Sequence, residues 1–205
     1  IFQKEEGSFL YEIGGRYDLQ ILDALPLQKN EVGAITFNRF NHTFNNISLS
    51  TGAKYRLSPN FKTNLNIGYV FRSPEVNELY SNGLHQGVSG IEEGDPNLNK
   101  EVSIKNTLSI KGKIKSKLFI EGLFYHQNID HYIFLDPQEE IRLTIRGAFP
   151  VFKYEQTNAS IAGFDLASTF QATEVFNITA KYSFIEGYDK SNKLPLIYMP
   201  SNNLY

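Results

Sequence analysis

The chain has 205 residues with 20 Lys+Arg against 22 Asp+Glu, a balance that gives no reason to expect nucleic acid as a partner. It has no cysteine, which excludes a disulfide framework, thiol catalysis and cysteine-based metal sites. Its uncharged apolar runs fall far short of the roughly 20 residues that a transmembrane helix needs, so any membrane crossing must use strands.

Period two dominates the pattern from the first segment onward. Phe9, Tyr11, Ile13, Gly15, Tyr17, Leu19 and Ile21 share one face; Glu12, Arg16, Asp18 and Gln20 fall on the other. The split recurs over Ile47 to Leu57, Thr63 to Phe71, Val102 to Ile110, Leu118 to Phe124, Phe164 to Phe170 and Phe176 to Phe184. Across these seven predicted strands the apolar face carries no charge. Lipid demands that, because a charge at mid-bilayer costs about 2–4 kcal/mol. A soluble β-sandwich has strands of the same kind, and the alternation alone does not separate the two.

The links do. Ser58-Pro59-Asn60, 112–116 and 171–175 are short, whereas 23–43, 73–101, 134–156 and 185–200 are long. Short and long alternate strictly, as periplasmic turns and extracellular loops do in a membrane barrel. An eighth strand is expected to begin near Asn202. Aromatic residues near strand ends, such as Tyr55, Phe71, Tyr125 and Phe176, fit interfacial girdles. The expected fold is all-β: an antiparallel transmembrane β-barrel fragment of seven to eight strands.

Residues 68–101 carry the most specific signal. Phe71-Arg72-Ser73-Pro74 ends a strand at a proline, Asn77-Glu78-Leu79-Tyr80 follows, and Asp95-Pro96-Asn97-Leu98 makes a turn before Glu101 and the next strand. These boxes, with Ile161-Ala162-Gly163-Phe164-Asp165 and the stretch 194–200, resemble the barrel of TonB-dependent outer-membrane receptors. The resemblance implies a barrel of about 22 strands around a plug, of which 1–205 is a late piece lacking the plug and the barrel ends. It implies bacterial outer-membrane lipid, the missing plug and the TonB complex as partners. It further implies no built-in cofactor and a transported nutrient such as an iron–siderophore, haem or another metal complex. A passive porin-like or structural barrel is the alternative.

Within the loop, His85 stands between the two boxes, with Glu92, Glu93 and Asp95 as neighbouring oxygen donors. An exposed imidazole can ligate zinc or haem iron, so these four form the expected ligand-binding set, with His85 as the metal ligand. The ordinary alternative is a loop histidine that contacts only backbone or water. His126 and His131 lie near the outer end of a strand and are read as interfacial. Polar residues of the inward face, including Lys54, Arg56, Glu121 and Lys181, either touch a plug or face lumen water. No nucleophile elbow, phosphate loop or H-E-x-x-H motif is present, so no enzyme is expected.

Overall fold

Strands form wherever the alternation runs, because each buries or exposes a whole face at once. The computed structural model describes residues 1–24, 27–28, 35–37, 40–115 and 117–205. Its elements in chain order are β1 (Phe2–Glu6), β2 (Phe9–Ala24), β3 (Leu27–Gln28), β4 (Ile35–Phe37), β5 (Phe40–Ser58) and β6 (Phe61–Arg72). Next come α1 (Val76–Tyr80), β7 (Asn82–His85), β8 (Gly90–Glu93), β9 (Glu101–Ile114), β10 (Leu118–Thr144), β11 (Gly147–Gln171), β12 (Asn177–Asp189), β13 (Leu194–Pro195) and β14 (Asn203–Leu204). β3 and β4 pair only with each other.

The main sheet has 12 strands, and its path β1-β2-β5-β6-β9-β10-β11-β12-β13 joins sequence neighbours without closing. Every pairing is antiparallel except that of β8 with β11. All seven expected strands are present, and β14 pairs with β12 where an eighth was expected to begin. β1 is an additional strand, joined to β2 by Gly7-Ser8. Gly7 has a φ of 61°, which suits glycine at so short a link. Parts of the expected links 23–43 and 112–116 lie outside the described residues.

The register confirms the face assignment. One row runs Tyr11, Ala53, Leu65, Leu108, Phe124, Phe164, Phe184, each residue paired with the next. On the other face, three residues nearer the short turns, a row runs Arg56, Lys62, Lys111, Glu121, Ala167, Lys181. The apolar band crosses the strands obliquely. On β10, β11 and β12 it stops at Phe124, Phe164 and Phe184, above which the same face carries His126, Ala162 and Glu186. On β2 it continues past that row to Ile21. Such a slope arises when strands tilt within a curved wall. Rings mark its margins: Phe9 stacks on Tyr55 at 4.2 Å, and Phe164 lies 6.1 Å from Phe124 and 5.5 Å from Phe184. β1 departs from the rule, since Lys4 and Glu6 pair opposite Tyr11 and Phe9 on the apolar face. They form an ion pair at 3.2 Å beside the turn.

Three long links differ from expectation. The segment 134–156 is not a loop; β10 and β11 continue as a ladder to Thr144 and Gly147, rising well beyond the end of β9. Bulges interrupt it between Ile129 and Tyr132 and between Pro137 and Ile141, with His131 at a φ of 57° in the first. Link 73–101 holds α1, β7 and β8, and β12 continues to Asp189. Beyond the apolar band a strand has no uncharged face to keep, so the sequence pattern hides these extensions.

The core of this wall lies at its long-loop end. Leu79, Leu98 and Ile133 form one buried cluster with Leu22, Phe44, Tyr80 and Tyr154 around it. Ile129, Ala159 and Leu196 form a second, with Tyr132, Ile161 and Met199.

Candidate functional site

The boxes flanking α1 meet around one guanidinium. Pro74, fully buried, has no N–H to continue the β6 ladder, and the chain turns inward there. Arg72, the last residue of β6, pairs in register with Glu101, the first of β9. Its Nε and Nη2 donate to Glu101 at 2.7 and 2.8 Å, and its Nη1 donates to both oxygens of Glu78 at 3.0 Å. Glu78 also accepts from the Glu75 backbone N–H at 2.7 Å, which closes the first turn of α1. Glu101 accepts the backbone N–H of Ile133 at 2.8 Å. Both carboxylates are nearly buried. A bidentate arginine between two such groups satisfies them as a compact unit.

The second box closes the same knot. Asp95 donates its backbone N–H to the Glu78 carbonyl at 2.9 Å, and its carboxylate accepts from the backbone and side chain of Asn97 at 2.8 and 3.0 Å. Gly94 donates to the Ser81 carbonyl at 2.8 Å. A Cβ on Gly94 would stand 2.6 Å from backbone atoms of Leu79 and Tyr80, so only glycine fits this approach. Leu79 and Leu98 then fill the cluster against Ile133. Pro96 precedes them in the turn. Asn77 donates to the Tyr154 hydroxyl at 3.1 Å, and Lys100 lies over the Phe71 ring at 4.4 Å. Ser73 accepts from buried Asn46 at 2.7 Å. Gln156 clasps the turn, accepting from the Asn99 N–H at 2.9 Å and donating to its carbonyl at 2.8 Å. The sequence pattern does not reveal Asn46, Ile133, Tyr154 or Gln156 as partners of the boxes; the last two lie in segment 134–156, expected to be a loop.

The β7–β8 hairpin carries the expected ligand set. His85 Nδ1 lies 2.8 Å from Glu92 Oε1, with the imidazole largely exposed and the carboxylate buried. In a neutral imidazole, a carboxylate at this position favours the tautomer with its proton on Nδ1, whose Nε2 is the lone-pair donor. Glu93 is turned elsewhere, against Arg142 at 2.5 Å and Lys153 at 3.8 Å. Asp95 sits in its own turn. The structure therefore joins His85 to Glu92 and keeps Glu93 and Asp95 apart from them. Among the described residues no three His, Asp or Glu side chains converge on a metal position. His126 lies 3.1 Å from the Ser160 hydroxyl, and His131 occupies the bulge.

β8 places this hairpin by adding in parallel to β11, with Ile91 opposite Val151 and Glu93 opposite Lys153. Loop 73–100 is thus fixed at both ends: by the Arg72 knot at its base and by the β11 extension at its tip.

Residues 6–204 match the family model described as TonB dependent receptor-like, beta-barrel. No curated protein sequence matches the chain. Among solved structures, the copper transporter OprC is similar with a TM-score of 0.76 and 15% identity, over 97% of this chain and 29% of that one. The hemophore receptor HasR of Serratia marcescens, solved with its hemophore HasA and heme, gives 0.62 and 16% over 87% and 32%. The alcaligin outer-membrane receptor FauA of Bordetella pertussis gives 0.60 and 14% over 98% and 31%. At these identities the likeness is one of fold. The chain spans about three tenths of the length of each.

Proposed function

Because the chain belongs to the TonB-dependent receptor β-barrel family, we propose that it is the late part of the barrel of an outer-membrane receptor that imports a scarce nutrient through TonB. The family consists of receptors and transporters rather than enzymes. In this reading the apolar face meets outer-membrane lipid, the polar face lines the lumen, and the short turns are periplasmic. The rest of a barrel of about 22 strands, the plug and the TonB-contacting segment belong to the remainder of the protein. The match over nearly the whole chain carries the reading.

The cargo we favour is a metal complex: an iron–siderophore, haem or a related chelate. Solved structures of similar fold include a copper transporter, an alcaligin receptor and a receptor solved with hemophore and heme. His85 supports a direct contact. Its Nε2 is presented to solvent from an ordered hairpin, backed by Glu92. One imidazole suits an axial ligand to an iron centre already held by its chelator better than a complete metal site.

The test is uptake of iron, haem and copper by cells that carry or lack the receptor, each with and without TonB. Uptake that needs both supports the proposal. Equal passage without TonB identifies a passive barrel and overturns it.

A further inference from the structure

The apolar face of the wall is not flush. Near the short-turn end, on three adjacent strands, Gly122, Ser168 and Ala180 have little or no side chain, while Phe124, Leu166 and Tyr182 stand beside them. Gly122 pairs with Leu166, and Ser168 with Ala180, so the gaps of two successive rows adjoin. They leave a hollow of about 470 Å³ lined almost wholly by apolar atoms. Ligand sites have volumes of about 300–1,000 Å³.

The turn from β9 to β10, at the foot of this hollow, is basic. Lys113, Lys115 and Lys117 fall within five residues. Lys115 and Lys117 are exposed, and among the described residues neither forms an ion pair. Lys113 lies over the Phe119 ring at 4.8 Å. The turn 171–175 adjoins, with the Gln171 N–H donating to the Lys117 carbonyl at 2.8 Å. It brings one acid, Glu174, which is paired with neither lysine. Lys117 stands three residues before Ile120 and five before Gly122, a rise of about 10 to 17 Å along a strand. Half of a hydrocarbon core about 30 Å thick is about 15 Å. An acyl chain whose phosphate sits at the lysines therefore passes through the hollow.

We infer that turn and hollow form one site for an anionic glycerophospholipid. Lys115 and Lys117 hold its phosphate, and one acyl chain seats over Gly122, Ser168 and Ala180. A smooth wall without charge at its edge takes lipids regardless of headgroup. Lysines at a membrane surface favour anionic lipid by on the order of fivefold each, and a groove beside them holds the chain in one place. The inference rests on the proposed reading of the apolar face as the lipid-facing one. It adds the class of lipid and the place where it is held.

Photolabelling tests it. The full receptor is reconstituted in phosphatidylcholine vesicles with a trace of one of two probes, a phosphatidylglycerol or a phosphatidylcholine carrying the same diazirine-bearing acyl chain. Labelled peptides are mapped by mass spectrometry. The expected result is several-fold more label from the phosphatidylglycerol probe in peptides containing Gly122, Ser168 and Ala180. Peptides around Ile13 and Leu49, which are also exposed on the apolar face, should show no such excess. The excess should disappear in the double variant Lys115→Gln, Lys117→Gln, and after addition of about 1 M salt. Ala180→Phe, which fills the hollow, should remove it while the rest of the wall labels as before. Equal labelling by the two probes, or an excess that survives loss of both lysines, would overturn the inference and leave the lipid-facing wall standing. Labelling of the apolar face by neither probe would overturn that wall reading, and this inference with it.

Discussion

Arg72 and Glu101 face each other across the β6–β9 ladder and are joined by two hydrogen bonds of 2.7 and 2.8 Å. The pair links the end of one long strand to the start of the next, and through Glu78 and Ile133 it ties in α1 and the β10 extension. Neither carboxylate can lose its partner without leaving a charge in a largely dehydrated place.

Arg72→Gln should therefore loosen loop 73–100 while leaving the barrel strands intact. The expected local cost is about 1–3 kcal/mol, below that of a fully buried pair because the guanidinium is partly exposed. Amide exchange of α1 in the detergent-solubilised receptor would report it as lost protection at Leu79 and Asp95. Glu101→Gln should do less harm than Glu101→Ala, since the amide oxygen can still accept from Ile133. Equal effects of the two would mean that the bond to Ile133 carries nothing.

Gly94→Ala should displace the segment after β8 from the end of α1. The added carbon would press on backbone rather than on a side chain that can rotate away. A cost of about 1–3 kcal/mol is expected, read as faster proteolysis of the loop. An unchanged cleavage rate would show that the close approach is not maintained in solution.

The two faces should differ sharply toward a new charge. Leu108 lies on the apolar row between Leu65 and Phe124, whereas Ser109 lies on the polar row between Asn64 and Leu123. Leu108→Arg should cost about 2–4 kcal/mol if the apolar face meets lipid, and Ser109→Arg far less. Folding yield into lipid vesicles, scored by the gel shift between folded and heated protein, separates them. Similar yields would count against lipid on the apolar side.

His85→Ala should leave stability within about 0.5 kcal/mol, as expected of an exposed side chain, and should weaken binding of haem or a metal chelate. Glu92→Gln should weaken it about tenfold through the imidazole it orients. Titration of the purified receptor with haem and with zinc measures both. Affinities equal to those of the unaltered receptor would remove this hairpin from the binding site.

Much of the barrel wall was legible because its cause is local. Tyr11, Leu65, Leu108 and Phe164 each sit in a strand that alternates, and a one-residue slip would reverse every face at once. The boxes at Phe71 and Asp95 were visible too, as a proline stop and an Asx turn. Their joint purpose was not, since nothing within either box says that Glu78 and Glu101 will share one arginine. The extension of β10 and β11 is not legible in the sequence because outside the apolar band a strand has no face free of charge to mark it. Tyr154 and Gln156 therefore looked like loop residues, yet they pack against the boxes.

The amino-acid sequence by itself determined the strands, their two faces and the alternation of short with long links, because each follows from period two and from turn chemistry within a few residues. The tertiary structure alone decided the Arg72 knot, the parallel addition of β8 to β11 and the separation of Glu93 and Asp95 from His85. Those depend on which strands lie side by side, and on how a loop of nearly thirty residues folds back over them. Pairing at that range is set by the order of strands in the whole wall rather than by any stretch of it.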